Sequence, residues 1–321
     1  MIFYIARRLL WTIVVVFCVL FITFIVFFKL PAGNPALRFA GHSPTQAELT
    51  QIEHRLGLNK PWYTQFGKFS YHFFVGDQFG WPGLGYTYAS GSSVKSLVFA
   101  RAPRTLLLIA GSAILWLFSG VAIGVLSAVR RRSFADRFAM GFALFGISAP
   151  VFWLGLIMLY VFWWKLHWAG GTGYVSPTTS FTGFISHMSL PWITLAMLYA
   201  AFYARMTRNN LLETFGEDYI RTARAKGLSE RRVIFKHALR ASLTPIVTMF
   251  GMDIALLVGG AVITETVFNL QGLGYLAINS ALQQDLPIVA GVVLLTAVAV
   301  ALASLIVDIL YAFIDPRVRY A

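Results

Sequence analysis

The stretch Glu217-Asp-Tyr-Ile-Arg-Thr-Ala-Arg-Ala-Lys-Gly-Leu-Ser-Glu-Arg-Arg-Val-Ile-Phe-Lys-His-Ala-Leu-Arg240, with Leu243-Thr-Pro just beyond it, separates two apolar runs. Asp218 places a carboxylate where a helix begins, beside free backbone N–H groups and the positive end of the helix dipole. Tyr219, Ile220, Ala223 and Lys226 then fall on or near one face, and Gly227 ends the helix in left-handed backbone geometry. Ser229 can cap a second helix, with Glu230 in its first turn, that runs to about Pro245. The segment thus predicts a helix, a glycine turn and another helix. Basic residues alone would hold a loop on one side of a membrane; they do not require Ala223, Ala225, Gly227 and Ser229 at those places. A docking element for a cytoplasmic partner is the sharper reading.

Around this segment the chain is built for lipid. Of its 321 residues 58% are apolar and 12% charged, against about 45–50% and about 25% in soluble domains. The mean hydropathy is +0.69. Disorder and coiled coils need polar bulk that is missing here. A bilayer core takes about 20 apolar residues in helix. Six runs answer to that, at 9–28, 106–129, 138–164, 190–204, 246–264 and 288–313; the fourth starts with Pro191 and continues as helix past Arg205. The first exceeds a signal-peptide core, no small-x-small cleavage site follows Phe28, and the two prolines after Lys29 read as the exit of a retained helix. The expected fold class is an all-α polytopic membrane protein with six transmembrane helices.

Orientation follows from the basic residues. Arg7 and Arg8 precede the first run, Arg130, Arg131, Arg132 and Arg137 lie between the second and third, nine lie within 205–240, and Arg317 and Arg319 follow the last. With six alternating spans these seventeen of 26 basic residues share one side, and the positive-inside rule puts both termini in the cytoplasm. The formal charge of +13 is then explained by the lipid bilayer, and no nucleic acid partner is expected. Residues 1–30 read as an N-terminal transmembrane helix, 31–103 as an extracytoplasmic segment, 104–313 as a five-helix core and 314–321 as a cytoplasmic tail. Within the outer segment, residues 45–56 suit a short helix, with Thr45 as N-cap, Glu48 completing a capping box and Gly57 as the stop. Gly76-Asp-Gln-Phe-Gly-Trp-Pro-Gly-Leu-Gly is turn-rich. That segment is too small and irregular for an enzyme domain; a lid or docking surface suits it better.

Signatures of chemistry are sparse. There is no G-x-x-x-x-G-K-[ST] loop and no H-E-x-x-H pattern, and the six histidines are scattered. Gly272-Leu-Gly-Tyr-Leu-Ala fits a relaxed dinucleotide fingerprint but follows a membrane run instead of a strand. The single cysteine, Cys18, excludes a disulfide framework and a thiolate metal cluster within the chain. Neither catalytic nor metal-binding residues are expected, and no cofactor. Asp253, Glu265 and Asp308 lie in or beside membrane runs, where a charge is costly and faces protein or water. Asp253 and Glu265 are candidates for a translocation path. Asp253 could meet a cationic amine or be paired within the bundle. Glu265, at the outer end of its run where water is near, suits loop anchoring, and Asp308 could pair with Arg317. Gly120, Gly124 and Ala128, and Gly251, Ala255 and Gly259, form small-residue stripes that let helix backbones approach closely.

The quoted segment resembles the EAA loop of permease subunits in binding-protein-dependent ABC importers, and Asp218-Tyr-Ile-Arg-Thr-Ala-Arg-Ala-Lys-Gly-Leu is similar to the dipeptide/oligopeptide version. The resemblance extends over nearly the whole chain. It includes Tyr4-Ile-Ala-Arg-Arg-Leu-Leu, Leu56-Gly-Leu-Asn-Lys-Pro, Arg101-Ala-Pro-Arg-Thr-Leu, Ile147-Ser-Ala-Pro-Val-Phe-Trp-Leu-Gly and Glu265-Thr-Val-Phe-Asn-Leu-Gln-Gly-Leu-Gly. The long outer segment resembles the first of the family's two permease subunits. Pro31-Ala-Gly-Asn-Pro and Leu270-Gln271 depart from the usual Pro-Gly-Asp-Pro and Trp-Pro. The resemblance implies a type I importer permease in a bacterial-type plasma (inner) membrane. Its implied partners are a homologous second permease, two ATPase subunits that bind ATP and Mg, and an extracytoplasmic substrate-binding protein. The coupling loop would be 213–240, with Asp218, Tyr219, Ile220, Arg221, Ala223, Arg224, Ala225, Lys226 and Gly227 meeting an ATPase: Tyr219, Ile220, Ala223 and Ala225 by packing, Arg221 and Arg224 by charge. The implied substrates are peptides, with nickel chelates, oligosaccharides or haem as alternatives. A secondary transporter or channel, which would need an ion and no ATP, and a scaffold that docks a partner without moving solute are readings from other classes.

Overall fold

The structure is a computed structural model describing residues 2–30, 45–56, 58–88, 90–258 and 261–314. Gly57, Gly259, Arg317, Arg319 and the stretch from Pro31 lie outside the described residues, so the helix stop, the third member of the glycine stripe and the partner of Asp308 expected there do too.

Helix follows the apolar runs. The first, α1 (Ile2–Phe24), continues through a π-helical run, Ile25–Lys29. In the capping box that opens α2 (Gln46–Leu56), Thr45 N–H donates to Glu48 Oε2 at 2.9 Å and Glu48 N–H donates to Thr45 Oγ1 at 3.3 Å. The Thr45 backbone N–H first, and the Thr45 side chain after it, hold the Glu48 carboxyl below the usual range. Next come α3 (Trp62–Val75), α4 (Val94–Val129), α5 (Phe134–Ser148) and α6 (Val151–Met158), the last prolonged by a π-helical run, Leu159–Lys165. They are followed by α7 (Phe181–Thr214) and α8 (Asp218–Ala225). A turn at Glu230–Arg232 and a π-helical run, Val233–Ala238, lead into α9 (Leu239–Val258). The chain closes with α10 (Val262–Val267), α11 (Leu273–Leu282) and α12 (Leu286–Ile314). Among the described residues there are no strands, only isolated bridges between Asp77 and Gly80 and between Tyr86 and Ser93.

Among the described residues, four helical stretches are long and apolar enough to cross a membrane: Ile5–Lys29, Val94–Val129, Phe181–Thr214 and Leu286–Ile309. The expected third span is not one rod. Helices α5 and α6–π are bent by 108° and make a fifth crossing only as a pair. Ala149 sits in extended backbone (φ −78°, ψ 130°) before Pro150, because the proline ring crowds the preceding residue out of helical geometry. Two other prolines do not act as boundaries. Helix α7 begins at Phe181, where Ser180 Oγ accepts from Gly183 N–H at 3.1 Å, and carries Pro191 inside it. The helix expected to stop near Pro245 continues through it to Val258. Neighbouring helices in a membrane bundle compensate for a proline's missing N–H, so proline is a weak stop there. Helix α4 starts at Val94, inside the segment drawn as 31–103.

Two compact units divide the chain, residues 1–103 with 271–305, and 104–270 with 306–321; α4 and α12 contribute to both. In the first unit, Leu20, Phe73, Leu84, Val94, Val98, Leu276 and Val292 form the core. Its turns at 76–85 are held by Asp77, whose carboxylate accepts from Phe79 N–H and Gly85 N–H, each at 2.8 Å. Gly83 is required there, since a Cβ would meet His72 O at 2.3 Å. The second unit has a core around Leu108, Trp116, Met188, Tyr203, Ile246 and Phe268. A separate small core lies under α8.

Candidate functional site

Helix α8 forms where Asp218 opens it, and the turn after it is as predicted: Gly227 has φ +73°. Its apolar positions point inward. Ile220 is fully buried and Ala223 nearly so, packed with Val125 and Ala128 of α4, Leu211 of α7, and Val233 and Ala238. Burial of these side chains ties α8 to two long helices of its own chain. Of the residues assigned to meet a partner by packing, Ile220 and Ala223 are thus occupied within the chain, and Tyr219 and Ala225 face outward. Asp218, Arg221, Lys226 and Gly227 are exposed as well. Partial burial, then the Glu217 charge, raises the Tyr219 phenol above its usual range.

The charges on α8 are partly committed. Arg224 spans the turn, with Nε donating to Glu230 Oε1 at 2.7 Å and Nη2 donating to Oε2 at 3.4 Å, and its guanidinium lies 5.7 Å from the Phe215 ring centre. Arg221 Nη1 reaches Asp218 Oδ1 at 3.4 Å on the open surface. Ser229 stands at the N-cap position, but its side chain makes no capping bond; the Arg224–Glu230 pair closes the turn instead. Beside that pair opens a cleft of about 410 Å³ lined by Arg131, Phe215, Arg224, Glu230 and Ile234 among others.

Sequence reasoning passed over a buried polar centre nearby. Asp136 accepts two bonds from Arg208, one from the Ser127 hydroxyl and one from Arg132 N–H at 2.8 Å, joining α4, α5 and α7. The signal was present as Ser133-Phe-Ala-Asp136, a capping pattern before an apolar run; Asp136 N–H does donate to Ser133 Oγ at 3.2 Å.

The small-residue stripes serve contacts within the chain. A Cβ on Gly120 would meet Tyr203 Cβ at 2.6 Å, one on Gly124 would meet Ala204 O at 2.6 Å, and one on Gly251 would meet Val307 Cγ1 at 2.5 Å. Close backbone approach there needs glycine. The two acids named for a path differ. Asp253 is half-buried, and Tyr203 Oη donates to its Oδ2 at 2.7 Å. Glu265 is not near water: it is fully buried and accepts from Thr105 Oγ1 at 2.5 Å. Its place in α10, which packs on α6 and α7, removes it from the surface that a loop end suggested. Gly272 caps a helix and follows α10, not a strand, so no dinucleotide unit surrounds it.

Residues 120–320 match the family described as binding-protein-dependent transport system inner membrane component, and residues 1–109 match its N-terminal membrane component. The oligopeptide transport system permease protein AppB of Bacillus subtilis (strain 168) is 39% identical over 99% of both chains. The probable peptide ABC transporter permease protein y4tP of Sinorhizobium fredii is 38% identical, again over 99% of each. The glutathione transport system permease protein GsiC of Escherichia coli O6:H1 is 37% identical over 99% of each. A chain of the MetNI methionine ABC transporter, solved in inward-facing conformations, shares the fold with a TM-score of 0.57 and 21% identity, over 68% of this chain and 97% of that one. Two family models that together take in most of the chain, and full-length relatives well above 30% identity, place it: the chain belongs to the inner membrane components of binding-protein-dependent transport systems, the multi-pass permease subunits of ABC importers.

Proposed function

We propose that this chain is one of two homologous permeases of an ATP-driven importer for di- and oligopeptides, with α8 and the Gly227 turn as its contact to an ATPase subunit. Six spans with both termini cytoplasmic complete the reading, with α9 as the fifth span and the α5–α6 pair as the third. Two ATPase subunits below bind ATP and Mg, and a substrate-binding protein delivers peptide from above. The observation that carries the coupling role is the core under α8: Ile220 and Ala223 are seated on α4 and α7, so a push on the exposed face of α8 moves long helices as a body. A nucleotide-driven change in the ATPase would then bias a two-state pathway. Peptide as substrate is supported by the names of the full-length relatives, with other solutes of the family as the alternative.

Co-expression of tagged chain with its neighbouring genes, purification of the assembly, and ATPase assays with peptide-loaded binding protein test the proposal. Stoichiometric ATPase and second-permease subunits with peptide-stimulated hydrolysis are expected. Assembly without peptide stimulation would move the substrate to another class, and a chain that purifies alone and moves solute without ATP would end the importer reading.

A further inference from the structure

Helix α3 runs alongside α1. Phe66 meets Phe17, Phe21 and Phe24 at ring-centre distances of 5.6, 5.3 and 5.5 Å, Trp62 meets Phe21 at 6.3 Å, and Phe69 meets Phe24 and Phe28 at 5.9 and 5.3 Å. These partners lie within Ile5–Lys29, a stretch apolar enough to span a bilayer. At about 1.5 Å rise per residue, Phe21 sits roughly 10 Å short of Lys29, so the first turns of α3 are level with the hydrocarbon rather than above it.

The surface of α3 fits that depth. At 3.6 residues per turn, Trp62, Phe66, Phe69 and Phe73 share the α1 side, Tyr63, Phe74 and Tyr71 continue round the helix from it, and Thr64, Lys68 and His72 take the remaining arc, with Val75 of the last turn among them. Tyr63, Tyr71 and Phe74 are 62%, 61% and 55% exposed, although a buried aromatic is worth more than a wetted one. Tyrosine and tryptophan collect at membrane interfaces, where the ring meets acyl chains and the polar tip meets headgroups. A lysine on the other arc can extend its charge to water along an apolar stem. The ring contacts advance from Phe21 to Phe28 as α3 runs from Trp62 to Phe69, so α3 follows α1 through the leaflet toward Lys29.

We infer that α3 is an amphipathic helix inserted in the leaflet beside the Lys29 end of α1, with Tyr63, Tyr71 and Phe74 against lipid and Lys68 and His72 reaching toward water. This part of the expected outer segment is therefore a lipid-contacting element, a role apart from binding-protein contact. The inference rests on α1 being a span.

Nitroxide labels report the environment directly. In the full chain, assembled in membranes and with Cys18→Ser, labels go singly at Tyr63→Cys, Tyr71→Cys, Phe74→Cys, Lys68→Cys and Gln51→Cys of α2; the parent labelled at Cys18, which is exposed on α1, reports the span. Collisions with oxygen should exceed those with a water-soluble nickel chelate at positions 63, 71 and 74, as at 18, and the order should reverse at 51 and 68. Chelate-accessible labels at 63, 71 and 74 would overturn the inference, as would labels shielded from both probes, which would mean a protein partner covers the arc. A chelate-accessible Cys18 would instead remove the span beneath it. Position 74 decides should a tyrosine variant fail to accumulate.

Discussion

Arg208 holds both carboxylate oxygens of Asp136, Nε to Oδ1 at 2.8 Å and Nη2 to Oδ2 at 3.0 Å. Ser127, whose hydroxyl also donates to Oδ1, adjoins Ala128, and Arg208 lies one turn before Leu211; Ala128 and Leu211 both belong to the core that seats α8. A buried ion pair repays its desolvation only when the remaining acceptor sites are filled, and here four donors fill them. The clamp therefore ties the ends of α4 and α7 that receive α8 to the start of α5.

Removing one side of that clamp leaves the other charge buried and unpaired. Asp136→Ala or Arg208→Ala should each lower stability by about 3–5 kcal/mol. The double variant Asp136→Leu with Arg208→Met should lose less than the sum. Thermal unfolding of the detergent-purified chain gives the comparison, and strict additivity would show that the two residues do not act as a pair.

Gly227 is required by backbone and not by space, because a Cβ there would meet nothing within 4 Å while φ is +73°. An ordinary side chain in left-handed geometry costs about 1–2 kcal/mol, and asparagine tolerates it better. Gly227→Val should reduce solute taken up per ATP hydrolysed while the chain still accumulates in the membrane, and Gly227→Asn should keep most of the coupling. Equal coupling in both variants and the parent would separate the turn from transport.

Gly124 and Gly141 make a matched pair of substitutions. A Cβ at Gly124 would lie 2.6 Å from Ala204 O and from Thr207 Cβ, whereas at Gly141 it would meet nothing within 4 Å. Overpacking costs about 1–3 kcal/mol. Gly124→Ala should lower the melting temperature by several degrees, and Gly141→Ala should leave it level or raise it through helix propensity.

The capping box of α2 gives a pH dependence of definite sign. The Glu48 carboxyl is held below its ordinary value by Thr45, so the stabilisation it gives α2 is complete above the unfolded carboxylate range and fades as pH falls through the folded one. Amide exchange at Leu49 and Thr50, corrected for intrinsic rates, should show less protection in acid than at neutral pH. Glu48→Gln should flatten that difference.

The helices were legible because apolar run length sets a span, and α8 with its Gly227 turn was legible because a helix start and a left-handed stop are both local. Prolines misled the reading: Pro191 and Pro245 lie inside helices, where packing outweighs a local stop, and of these three it is Pro150 that breaks one. The Asp136–Arg208 clamp was invisible as a pair, since its members stand 72 positions apart and charge alone does not name a partner. Periodicity showed that Ile220 and Ala223 share a side of α8, but it cannot say which body that side meets. Glu265 was placed near water by its position in the run, and the fold buried it against Thr105.

Since Ile220 and Ala223 answer to the chain's own interior, the proposed coupling role leaves contact with an ATPase to outward residues of α8, among them Asp218, Tyr219, Arg221, Thr222 and Ala225. A change of ATPase would then call for new side chains at a few surface positions and for no rearrangement of the fold, which makes this helix an adapter whose fitting can be exchanged while its mount stays the same.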